Sequence, residues 1–144
     1  MYLDEEGNFI SDMSKVGAMA VGVPGTVAGI FAAHEKLGSL PIEEILAPVI
    51  ELANNGYVVT ENQQKRLEQV AAIFEEVNQE SSIYTQKPKA GDTIKNLALG
   101  ATLSRISKNG RSEFYNGETA KKLVDFMKSK GGIITLEDLS LIHI

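Results

Sequence analysis

From Val16 to Ala33 the chain carries no charged residue, and this run limits what the sequence can fold into more than any other feature. Its length would suffice for a membrane span or a signal sequence. Against that, Gly17, Gly22, Gly25 and Gly29 dilute its hydrophobicity, and Pro24 breaks any single continuous helix. Acidic Asp4, Glu5 and Glu6 lie before it, where a signal peptide would carry positive charge. The run therefore reads as a buried turn that leads into a core helix. Gly17 to Val23 alternates small and apolar residues and is expected to be buried and extended. Pro24-Gly25-Thr26 then breaks it, and Thr26 is expected to cap a helix through Ile30 and Phe31 that stops near Gly38. Gly29 inside that helix costs on the order of 1 kcal/mol against alanine, a cost accepted where another backbone packs close.

The rest of the chain is punctuated in the same way. Pro41, Glu43 and Glu44 suit a helix first turn, and Ile42, Ile45, Leu46, Val49, Ile50 and Ala53 recur at helical spacing before Asn54-Asn55-Gly56. Pro48 falls inside this pattern and predicts a kink or a local break. Thr60 and Gln63 have capping-box spacing before Leu67, Val70, Ala71, Phe74 and Val77, which make one apolar face. Residues Ser81 to Thr93 read as a connector with turns at Lys87-Pro88-Lys89 and Gly91-Asp92. Asn96 opens a fourth helix that closes at Asn109-Gly110. A fifth starts near Glu118 and stops at Gly131-Gly132. Thr135 and Asp138 cap a short last one. The fold class expected is mainly α, with five or six helices and no repeat of fixed period.

Composition excludes several functions. Hydrophobic residues at 43% and charged ones at 23% match soluble globular domains and argue against a disordered tail. The net charge is -5 and the 14 Lys and Arg are scattered, so no basic stripe offers itself to nucleic acid. There is no cysteine, and the histidines are His34 and His143, so neither a metal site nor a cofactor is expected.

The residues that invite a catalytic reading have simpler ones. Thr26 sits in a glycine-rich turn with nothing to supply a free amine, and capping explains it. The glycines around it lack the Gly-Lys-Ser/Thr ending of a phosphate cradle. Glu43 with Glu44, Glu75 with Glu76, and Glu137 with Asp138 are adjacent in sequence. Neighbours on a helix point about 100° apart, so these pairs do not converge for acid/base work. They are expected on solvated faces and at helix starts. His34, near a helix end, is expected to pack or cap, and no catalytic, cofactor-binding or metal-ligating residue is assigned.

The octamer Gly22-Val23-Pro24-Gly25-Thr26-Val27-Ala28-Gly29 resembles a signature of the γ-glutamyltranspeptidase family. Further blocks follow in that family's order. They are Ala47-Pro48-Val49-Ile50-Glu51-Leu52-Ala53, Asn55-Gly56-Tyr57-Val58-Val59, Ala90-Gly91-Asp92, Asn96-Leu97-Ala98 and Phe114-Tyr115-Asn116-Gly117. The last runs from Lys130-Gly131-Gly132 to Asp138-Leu139, and even Leu3 to Asn8 matches the acidic turn before the signature. Residues 1–139 thus resemble part of the family's large subunit, whereas 140–144 do not look like its continuation.

The resemblance implies an N-terminal-nucleophile hydrolase, an αββα sandwich of which this segment forms part of a helical layer. It implies a self-cutting precursor whose small subunit begins with a catalytic threonine, and a γ-glutamyl group passed to water, an amino acid or a peptide. The implied substrates are glutathione and related γ-glutamyl compounds. The implied partners are the rest of the large subunit and the small subunit, in a periplasmic or secreted parent. The family's nucleophile and its substrate-gripping arginine fall in segments not present here, so this segment is expected to be inactive alone. The alternatives are an acylase or a poly-γ-glutamate depolymerase of the same fold, or a non-catalytic helical binding module.

Overall fold

The computed structural model describes residues 2–78 and 82–141, for Asn78 the backbone alone. Seven α-helices stand among the described residues: α1 Thr26–Leu37, α2 Ile42–Asn55, α3 Glu61–Asn78, α4 Leu97–Asn109, α5 Arg111–Asn116, α6 Glu118–Ser129 and α7 Leu136–Ser140. The strands β1 Tyr57–Val58 and β2 Thr93–Ile94 form an antiparallel ribbon, with Tyr57 opposite Ile94 and Val58 opposite Thr93. The mainly α expectation holds. The chain divides into two compact units, one from the residues up to Gly38 with those from Asn109 onward, the other from Ser39 to Lys108.

The first unit has a core of Tyr115, Ala120, Met127, Ile134 and Leu139. Ala120, Leu123, Val124 and Met127 recur at helical spacing, so α6 turns one stripe onto this core. Ala18, Val27, Ala28 and Phe114 pack against its edge. Burying a side chain the size of Met127 or Leu139 contributes about 1.5–3 kcal/mol each. The acidic turn is as expected. Asp4 accepts hydrogen bonds from the Glu6 and Asn8 amides at 3.0 and 2.8 Å, while Leu3 and Phe9 form a bridge across it.

Three expectations about the uncharged run are corrected. Ala18–Ala20 forms a 3₁₀ turn, and after it the extended Val21 is exposed, as is Val23. The close packing expected at Gly29 is also absent, since nothing lies within 4 Å of where a Cβ on Gly17, Gly22 or Gly29 would stand. Thr26, expected as the cap, is the first helical residue of α1, and the cap position falls to Gly25, which has no side chain to offer. The need is met from far along the chain. The Tyr115 hydroxyl accepts a hydrogen bond from the Ala28 amide at 3.0 Å and donates one to the Pro24 carbonyl at 2.8 Å.

In the second unit, α3 has the capping box its sequence announced. The Gln63 amide donates to Thr60 Oγ1 at 3.3 Å, and the Thr60 amide donates to Gln63 Oε1 at 2.9 Å. Asn96 opens α4 by accepting the Leu99 amide through Oδ1 at 3.0 Å. Pro48 causes no break, because α2 runs on through it. Pro48 is exposed, so water can reach the carbonyl left without its donor.

The ribbon and α5 were not foreseen. Val59, buried beyond β1, donates to the Asp92 carbonyl at 2.8 Å and accepts from the Gly91 amide at 2.9 Å. Gly56 begins this exit with φ 94°, where a Cβ would meet Thr93 and the Ile94 carbonyl. The Asn54 side chain lies against Gly100, which leaves no room for a Cβ between α2 and α4.

Replacing Tyr115 with phenylalanine removes only the hydroxyl and leaves a backbone donor and acceptor unpaired, at a cost of about 1–3 kcal/mol. Hydrogen exchange at the Ala28 amide should accelerate at least tenfold in Tyr115→Phe, and by much less in Thr26→Ala. Equal exchange in the two variants would mean that the tyrosine does not hold the turn.

Candidate functional site

The residues that invited a catalytic reading are dispersed. Thr26 is exposed at the start of α1. Glu43 and Glu44 lie exposed in the first turn of α2, where the helix dipole favours acids. Glu75 pairs with Lys87 at 3.2 Å, both half exposed, and Glu76 is exposed. His34 lies in the last turn of α1 with its ring against Gly38, whose amide donates to the His34 carbonyl at 2.7 Å. His143 lies outside the described residues. No group of three or more His, Asp or Glu among the described residues could hold a metal ion, and no described helix is long and apolar enough to cross a membrane.

Glu137 is exposed in the first turn of α7. Asp138 closes a reciprocal capping box on α7: its Oδ2 accepts from the Thr135 amide and hydroxyl, each at 2.8 Å, and its own amide donates to Thr135 Oγ1 at 3.2 Å. The bond from the Thr135 side chain, then that from its backbone, holds the Asp138 carboxyl below the usual aspartate range. Asp4 is lowered in the same way, chiefly by the Asn8 amide and then by the Asn8 side chain.

The structure brings together one polar constellation that the sequence reading missed. Glu113, on α5, is buried to 7% exposure, and its Oε1 accepts from the Thr119 amide at 3.1 Å and the Thr119 hydroxyl at 3.0 Å. Thr119 is the second residue of α6, so Glu113 satisfies the open end of the helix after its own. A Cβ on residue 117 would meet Oε2 and also the Glu113 backbone carbonyl and Cα, which is why Gly117 stands there. Nearby, the Arg111 guanidinium stands 5.0 Å from the centre of the Tyr115 ring, within cation–π range. The available signal was a glycine between two short helical runs with a glutamate four residues before it. That spacing is too common to single out. The chemistry of this cluster is that of a fastener, because both Thr119 donors are spent on one carboxylate oxygen.

Along α3, Gln63, Arg66, Leu67, Val70 and Phe74 line a largely apolar groove of about 270 Å³ closed by Tyr57 and Tyr84. Phe74 and Tyr84 stack with ring centres 4.7 Å apart.

A family model described as gamma-glutamyltranspeptidase matches residues 1–143. A glutathione hydrolase proenzyme of Pseudomonas aeruginosa is 41% identical over 142 residues, which are 97% of this chain and 25% of that protein. Among solved structures, the gamma-glutamyltranspeptidase of Helicobacter pylori superposes with a TM-score of 0.90 at 34% identity, over 99% of this chain and 42% of that one. That of Pseudomonas nitroreducens gives 0.86 at 42% identity, over 98% and 42%. The chain spans about a quarter of the length of the curated relatives it matches.

Two outcomes are expected. In Gly117→Ala the added methyl meets both the carboxylate and the backbone of Glu113, so the Thr119 amide should lose at least tenfold of its exchange protection, whereas Asn116→Ala on the exposed side should change it little. Because folding lowers the Asp138 pKa, the α7 cap contributes fully above the unfolded-state value and is lost as pH falls through the lowered folded value. An NMR titration of Asp138 should therefore show a midpoint below the ordinary 3.8. A midpoint at or above that value would mean that the box does not form in solution.

Proposed function

The chain belongs to the γ-glutamyltranspeptidase family, and on that premise we propose that it is a segment of an enzyme that transfers γ-glutamyl groups through a threonyl acyl-enzyme. The observation that carries the reading is the match over residues 1–143, which span a quarter of the relatives' length. In the proposed reaction a threonine hydroxyl adds to the γ-glutamyl amide, with the threonine's own α-amine taking the proton. The amine portion leaves with a proton and a glutamyl ester remains. Water, or the amine of an amino acid or peptide, then attacks that ester and restores the threonine. The substrates are glutathione and other γ-glutamyl compounds, and the parent is periplasmic or secreted.

Within that enzyme the segment serves as part of an outer helical layer on a β-sheet core, and its partners are the rest of the large subunit and the small subunit. Support comes from α2, whose apolar stripe is left half open: Ile45, Val49 and Leu52 are 42%, 45% and 54% exposed. At about 25 cal/mol per Å² of apolar surface, covering such a stripe is strongly favourable.

The intact mass of the gene product bearing the peptide Val16 to Lys36 tests the enzyme reading. The tag should appear in a polypeptide well above 15.6 kDa, beside a second subunit that begins with threonine. That product should turn over a γ-glutamyl anilide and leave a glutaryl amide; the reverse preference would point to an acylase of the same fold. Recovery of the tag only at 15.6 kDa would overturn the proposal in favour of a helical binding module. The isolated 144-residue chain should bind an apolar-surface dye and unfold broadly in urea. A sharp monomeric transition without dye binding would contradict the layer reading.

A further inference from the structure

We draw no further inference here: the strongest candidate, the apolar groove along α3 closed by Tyr57 and Tyr84, carries nothing because no feature of the structure shows what covers it.

Discussion

The Tyr115 hydroxyl is the constraint on which the first unit depends. A helix that begins after glycine has no side chain of its own to satisfy its first amides, and α1 begins after Gly25. One phenolic oxygen supplies the deficit by accepting from Ala28 while giving its proton to Pro24. The two partners lie 87 and 91 positions away in sequence, so the bond closes a long loop as well as a helix end, and the entropy of that closure has to be offset elsewhere. The offset is at hand. The Tyr115 ring is 1% exposed among Ala120, Met127 and Leu139, so apolar burial holds the ring while the hydroxyl fixes the turn.

Five of the helix starts divide into two kinds, and the division explains what could be read in advance. At α3, α4 and α7 the cap comes from residues three positions apart: Thr60 with Gln63, Asn96 with Leu99, Thr135 with Asp138. Spacing alone reveals these, and all three were legible. At α1 and α6 the partner is brought by folding, Tyr115 in one case and Glu113 in the other. A tyrosine and a glutamate have no positional signature for such work, so the sequence offered Thr26 as the obvious cap and the structure uses it otherwise. The same limit applies to the ribbon. Val59 and Gly91 are joined across the whole of the intervening α3, and strands of two residues leave no alternation to detect.

The adjacent acidic pairs are expected to diverge because neighbours on a helix point about 100° apart, an argument from geometry that needs no coordinates. The Glu113–Thr119 fastener escaped for the converse reason. Its members converge through a tight glycine turn, where the helical rule does not apply. Burial of a carboxylate is the telling feature there, since a charge leaves water only where hydrogen bonds compensate it. Burial is a property of the fold, and one sequence does not display it.

Two amphipathic helices make the last point. In α6 the residues Ala120, Leu123, Val124 and Met127 are covered by their own unit, whereas in α2 Ile45, Val49 and Leu52 stand half open. Periodicity of 3.6 announces an apolar face in both and is silent about what covers either. The family was legible all the same, because the blocks that carry it are packing devices. Gly117 yields space to Glu113, Tyr115 reaches the turn at Pro24, and Gly56 adopts a positive φ beside the ribbon. Each is demanded by a contact within this segment, so a stretch that holds no assigned catalytic group can still specify its family.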